Sequence, residues 1–278
     1  MNSSLDVEQK YSNFPEYPLQ GRYKLAFNWI PKDINTLLDA GCAWGYGTRF
    51  FSQKCDRVYG LEPDKAFVEV AKSRYADIVF VESELEQTPF ESDFFDAIVS
   101  CDTLEHVRDE IACLNEMFRI LKPEGVLVLT TPHKGLFGFM DPGNSIQWLE
   151  YFVKKNLPYL YSLAYRIRKG EFPAKIEYVK PIYEHDTTHR HYNISEFKEM
   201  LNQSSFKDNY EIVQVFRSGL LIGVLTLNLD FYLSLFIKSK LKSWLVKPFL
   251  VLSEIDFWIP YNILAYNIAV KIRKKGNQ

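Results

Sequence analysis

Strands and helices take turns along the first half of this chain, and that alternation narrows the folds open to it more than any other feature. Thr36–Ala40, Arg57–Leu61, Ile78–Val81, Phe95–Cys101 and Val126–Thr131 read as short apolar strands. Helical patterns fill Tyr46–Lys54, Asp64–Tyr75 and Asp109–Leu121 between them, with Asp64 placed to cap the second. Strands separated by helices return parallel through right-handed crossovers, so a doubly wound α/β sheet is expected. A polar and aromatic arm, 1–20, precedes a helix from Gly21 to Ile30 that stops at Pro31.

After Pro132 the rhythm breaks. Residues 133–190 hold Gly- and Pro-containing stretches around an aromatic helix candidate, Ser145–Arg168. It returns with a helix at Ser195–Asn202, capped by Asn193 or Ser195, and a strand at Tyr210–Phe216. Next come an apolar segment, Gly219–Ile237, a lysine stretch (Lys238, Lys240, Lys242) and a second apolar, aromatic segment, Trp244–Trp258. Ala265–Ile272 closes as a strand expected to neighbour Tyr210–Phe216. The reading is one domain over 1–278, with an N-terminal arm and helix at 1–30, a lid-like insertion at 133–190 and a hydrophobic helical insertion at 219–260.

The 278 residues carry a formal charge of −2 and a pI near 6.2, so no global basic field points to nucleic acid. Cys42, Cys55, Cys101 and Cys113 show no CxxC and no zinc-like spacing, and they read as reduced thiols. The opening MNSSLDVEQKYSNF has no basic region followed by an apolar one, which predicts a cytoplasmic protein.

Chemistry concentrates where the strands end. LLDAGCAWGYGT, Leu37 to Thr48, delivers Asp39 from a strand into a glycine-rich turn that opens the next helix. Glycines tolerate the dihedrals of such a turn and let a ligand approach the backbone. Glu62 ends the second strand about twenty residues on, where a carboxylate can accept two hydrogen bonds from a ribose diol. VESELEQTPF brings Glu84 and Leu85 to the same edge after the third strand. Cys101-Asp-Thr-Leu-Glu-His-Val107 follows the fourth strand, and a KPEG turn precedes the fifth. The GxGxxG of NAD-dependent dehydrogenases is absent.

These five ordered motifs span about Arg22 to Pro132 and resemble the class I S-adenosylmethionine-dependent methyltransferases, particularly the subgroup related to ubiquinone- and menaquinone-type enzymes. The resemblance implies a seven-stranded Rossmann-like methyltransferase sheet with helical insertions after the fifth and sixth strands, and S-adenosylmethionine as cofactor. It implies that Gly41, Cys42 and Gly45 line the methionine and ribose moieties beside Asp39, and that Glu62 holds the ribose hydroxyls. Glu84 would face the adenine amino group, Leu85 would offer a backbone N–H to the ring, and Asp102 would sit beneath the methionine part. Two positions depart from the family pattern. Ala43 replaces the usual second glycine and is expected to fit with a negative φ, and Glu84 replaces an Asp.

A sulfonium carries its own leaving group, so alignment is the main requirement; an acceptor that starts protonated also benefits from a base. His106, His133 and His189 are the candidate bases, each with a plainer reading as a core, capping or bracing residue. Asp102, Glu105 and His106 also resemble a Glu-x-x-Glu-His set that holds a divalent ion in some relatives, but the first acid here is Asp and no metal is assigned. Similar proteins with TPHKG, HRHYN and a late hydrophobic insertion look like bacterial enzymes of surface-polysaccharide or lipid-linked glycan pathways. The resemblance therefore implies O-methylation of a small-molecule sugar or a lipid-linked precursor. A polyprenyl quinone hydroxyl is the second acceptor, and a non-catalytic membrane-associated scaffold is the alternative outside enzymology.

The first insertion is rich in aromatic residues and the second in apolar ones. In the first, Trp148, Tyr151, Phe152, Tyr159, Tyr161 and Tyr165 would line the acceptor site or pack a lid onto the core. In the second, Gly219–Ile237 has the length of a membrane span, but Asn228 and Asp230 near its middle oppose a crossing. A helical hairpin lying on a membrane surface meets the topology, with Lys238, Lys240, Lys242, Lys247, Trp244 and Trp258 suited to an anionic interface. A buried helical pair and a homodimer interface stand beside that reading.

Overall fold

The computed structural model describes residues 18–136, 150–176, 190–220 and 239–276, together with positions 222, 223, 225, 226, 229 and 233. Its sheet has seven strands: β1 (Ile34–Ala40), β2 (Cys55–Glu62), β3 (Val79–Glu82), β4 (Phe95–Cys101), β5 (Leu121–Pro132), β6 (Tyr210–Ser218) and β7 (Asn267–Lys274). They lie in the order β3-β2-β1-β4-β5-β7-β6. The ladders from β3 across to β5 are parallel. At the other edge the bonds run in opposite chain senses: His133 N–H to the Tyr266 carbonyl, then Leu136 N–H to the Ile263 carbonyl. Strand β7 is therefore antiparallel to β5, and its neighbour is β6, as the sequence predicts.

Parallel strands covered on both faces read as continuous apolar runs, which explains why their positions were visible in the sequence. In β1 the last four residues, Leu37 to Ala40, are all buried. The helices covering the sheet are α1 (Gly21–Trp29), α2 (Thr48–Phe51), α3 (Lys65–Arg74), α4 (Glu110–Ile120) and α6 (Ile194–Gln203); α5 (Pro158–Lys169) and α7 (Ser239–Phe257) lie in the insertions. One core joins Leu38, Leu61 and Ile98 to Leu114, Met117 and Phe118; another joins Leu37, Ala97 and Val99 to Ala26, Ile30 and Phe51. Asp64 caps α3 by accepting from the Ala66 N–H, and Asn193 with Glu196 forms a capping box at α6.

Two expected helices differ. The pattern over Tyr46–Lys54 becomes the single turn α2 followed by a 3-10 turn, Ser52–Lys54. The aromatic helix expected over Ser145–Arg168 is broken: a helical stretch at 150–156 ends, and α5 restarts with Pro158 in its first turn. Proline has no N–H to continue a helix but fits at its start. Trp148 lies outside the described residues.

The chain divides into two compact units. The first comprises 1–131, 192–216 and 268–278; the second comprises 132–191 and 217–267, so the two insertions share one unit. Within the second unit, buried Asp256 of α7 accepts from the Leu220 N–H (3.0 Å) and from the Tyr261 hydroxyl (2.7 Å). Thr226 donates to the Phe249 carbonyl at 3.2 Å, so the helical positions 222, 223, 225 and 226 run antiparallel to α7. No helix among the described residues is long and apolar enough to cross a membrane. Asn228 and Asp230 lie outside those residues.

Candidate cofactor site

The strand order reverses between β1 and β4, and open α/β sheets bind ligands beyond the carboxyl ends of the strands at such a point. Asp39, in β1, pairs with Gly60 of β2 on one side and Val99 of β4 on the other. It is 1% exposed, and one oxygen accepts from the Thr48 hydroxyl at 2.6 Å. Its other oxygen, Oδ1, is buried with no hydrogen-bond partner. Burial pushes this carboxyl up to about 7; the Thr48 bond opposes the shift and the Glu62 charge adds to it.

The turn that follows is set by backbone conformation. Gly41 and Gly45 have φ of 83° and 84°, the left-handed region that glycine enters without strain. A Cβ on Gly41 would lie 2.1 Å from the Thr103 hydroxyl oxygen, so this glycine also makes room for Thr103, whose hydroxyl donates to the Ala40 carbonyl at 3.1 Å. The ends of β1 and β4 are thereby tied together. Ala43 does not keep the negative φ expected of it: its φ is 44°. That conformation costs an L-residue about 1 kcal/mol. It aims the Ala43 N–H at Glu62 Oε2, 3.0 Å away.

Glu62 ends β2 half-buried, and its second oxygen accepts from the Asp64 N–H at 3.1 Å. Two backbone donors thus fix the carboxylate and leave it acceptor capacity for a ligand diol. Burial raises its pKa, opposed by those two bonds. Asp102 follows β4 with a φ of 55°. One of its oxygens pairs with Arg22 of α1, and the other is buried without a hydrogen-bond partner. Tyr23, next to Arg22, stacks edge-on with Tyr46, and burial together with the nearby Cys101, Asp39 and Asp102 keeps its phenol protonated.

Arg22, Tyr23, Thr48 and Thr103 were not singled out by the sequence. Spacing carries no signal for a pair such as Arg22 and Asp102, eighty positions apart, because only the packing of α1 against the sheet joins them.

The remaining predicted positions fall as follows. Glu84 is exposed just after β3, while the Leu85 side chain is buried in the main core, leaving its backbone for any ligand. The Cys42 side chain packs with Val68, Ala71 and Phe80, so it too has only backbone to offer; burial raises its thiol pKa well above the ordinary value. All four cysteines are free.

His106 is exposed in a 3-10 turn, Leu104–His106, which removes its reading as a core residue. His133 is buried in the second unit with Nδ1 3.0 Å from the Ala265 carbonyl. A carbonyl only accepts, so Nδ1 donates to it. His189 lies outside the described residues. Glu105 is buried whereas His106 is exposed, and the described residues contain no group of three His, Cys, Asp or Glu side chains able to hold a metal ion.

Comparison with known proteins points the same way as the fold. Residues 38–129 match the family model described as a methyltransferase domain. A Mycolicibacterium smegmatis protein named as a probable S-adenosylmethionine-dependent methyltransferase is 32% identical over 114 residues, 41% of this chain and 43% of that one. The ubiquinone biosynthesis O-methyltransferase of Haemophilus ducreyi is 28% identical over 130 residues, 42% of this chain and 55% of that one. The chain thus spans about half the length of these curated relatives, or less. Among solved structures, phosphoethanolamine N-methyltransferase 2 of Haemonchus contortus, in complex with S-adenosylmethionine, superposes with a TM-score of 0.58 at 15% identity, covering 99% of this chain and 58% of that one. The family match, 38–129, thus covers the stretch that carries Asp39, Glu62 and Asp102, on a sheet with the fold of the solved methyltransferase.

Proposed function

We propose that the protein methylates an oxygen of a sugar or lipid-linked glycan precursor, at or near a membrane surface, using S-adenosylmethionine. The observation that carries the cofactor part of this reading is the charge at the β1–β2–β4 edge. Asp39, Glu62 and Asp102 converge there with Arg22 as counter-charge, and two buried carboxylate oxygens have no donor. A ligand carrying a sulfonium, an ammonium and a ribose diol supplies the positive charge and the donors that this cradle lacks, so the residues fit the cofactor. When bound, it supplies an electrophilic methyl group whose sulfur departs as a neutral thioether.

Glu62 would take the ribose hydroxyls, and Arg22 stands at the Asp102 end, where a guanidinium suits the methionine carboxylate. Thr103 and Thr48 hold the two strand ends that orient these groups. The base would be one of His106, His133 and His189; the Ala265 carbonyl sets the ring orientation of His133. The membrane-surface part of the reading, with the chain peripheral on the inner face, is supported by α7. Its outward face carries Trp244 (73% exposed), Val251 and Ile255 beside Lys247. Trp258 is half-buried with its indole N–H on Glu254, so Trp244 is the anchor of the two predicted. A quinone hydroxyl is the second acceptor, favoured by the likeness to the ubiquinone biosynthesis enzyme.

Titration calorimetry with S-adenosylmethionine and S-adenosylhomocysteine tests the cofactor. Binding to the native chain should be weakened at least tenfold in Glu62→Ala, since a charged acceptor of two hydrogen bonds is lost. Failure of the native chain to bind either compound would overturn the proposal. An unchanged Glu62→Ala affinity would overturn the ribose assignment.

A further inference from the structure

Helix α5 is turned inside out. In the described residues, seventeen of the nineteen large exposed apolar side chains belong to the second unit, and α5 contributes a continuous group of them. Tyr159 (80% exposed), Leu160, Leu163 and Ile167 fall within about 100° of the helix circumference, while buried Ala164 lies outside that arc. A surface helix ordinarily buries such a stripe; here it faces outward. Arg166 borders the stripe, its guanidinium 4.7 Å from the ring of exposed Phe172. An apolar face rimmed by aromatic and basic groups marks an interaction surface.

Charge decides what the face meets. By sequence the second unit holds fourteen Lys and Arg against nine Asp and Glu, a net +5, while the first holds nineteen against twenty-six, a net −7. Pairing this face with the same face of a second copy would set two +5 units together, which repel, whereas an anionic bilayer is attracted to it. We infer that α5 is a membrane-docking element in its own right: its Tyr159–Leu160–Leu163–Ile167 face inserts among the acyl chains of an anionic leaflet, with Arg166 at the headgroups. This inference rests on the membrane-surface reading above. It adds a second contact, from a segment that the sequence presents as a lid.

Co-sedimentation with phosphatidylcholine vesicles, with and without phosphatidylglycerol, tests it, beside S-adenosylhomocysteine titration of the same samples. The native chain should partition onto the anionic vesicles, and Leu163→Glu with Ile167→Glu should bind them at least tenfold more weakly. Both should retain S-adenosylhomocysteine affinity and cooperative unfolding. Should the double variant fail to fold, Leu163→Ser with Ile167→Ser serves in its place. Native-like sedimentation of the variant would overturn the inference, and so would a native chain indifferent to phosphatidylglycerol. A native dimer that the variant converts to monomer, with no vesicle binding by either, would assign the face to a second copy instead. Loss of S-adenosylhomocysteine binding by the native chain would count against the methyltransferase reading alone.

Discussion

Asp39 ends a strand buried on both faces, with one oxygen bonded to Thr48 and the other facing no donor. Its pKa of about 7 lies above the ordinary carboxylate value near 4, so the folded chain keeps a proton that the unfolded chain releases between these values. Stability without ligand should therefore fall as pH rises across that window, because ionising Asp39 places an uncompensated charge in the core. Asp39→Asn should flatten the fall and leave the variant more stable than the native chain at pH 8. The same change should weaken S-adenosylmethionine binding roughly tenfold, since the cationic ligand is the charge's intended partner. Denaturation midpoints taken from pH 4 to pH 8 give the check, and parallel curves for the native chain and the Asp39→Asn variant would refute it. The sequence disclosed Asp39, Glu62 and Asp102 because each ends an apolar run. It did not disclose the positive φ of Ala43, because the Glu62 carboxylate that receives its N–H is nineteen positions away.

At the scale of elements, the loop after β3 shows how the edge is kept in shape. Glu116 of α4 accepts from both the N–H and the hydroxyl of Thr88, at 2.8 and 2.7 Å, and Arg119, one turn along, donates to it and to the Phe90 carbonyl. Glu84 and Leu85 ride on this loop. Burial alone would raise the Glu116 carboxyl, but the bonds from Arg119 and Thr88 outweigh it and hold the group below its ordinary value. The stability it contributes is thus present above the unfolded carboxylate pKa and disappears as pH falls through the lower folded one. Glu116→Gln should cost about 2 kcal/mol at pH 7, with native and variant converging in acid. It should also weaken cofactor binding by loosening the loop that carries Glu84 and Leu85. A variant with native stability at neutral pH would remove the clamp. Strand positions were legible because two-sided burial writes an apolar run into the chain. The Glu116 clamp was not, since its partners are joined only when α4 packs against the sheet.

For the whole molecule, the overall charge of −2 conceals two opposed units, −7 on the sheet unit and +5 on the insertion unit. The bulk figure shows no global basic field, yet it hides the net +5 of the insertion unit. Salt separates the contributions, because the Debye length shrinks from about 30 Å at 0.01 M to about 3 Å at 1 M ionic strength. Binding to phosphatidylglycerol vesicles should weaken by at least tenfold across that range if lysines such as Lys247 draw the chain to the surface. A residual, salt-resistant part should persist from the apolar face of α7 and should drop further in Trp244→Ser. Trp244 is the most exposed large apolar side chain among the described residues of that helix, and its ring suits the headgroup level. Salt-independent binding would show that apolar contact alone holds the chain. Binding abolished by salt, and indifferent to Trp244, would show that the exposed rings of α7 meet something other than lipid.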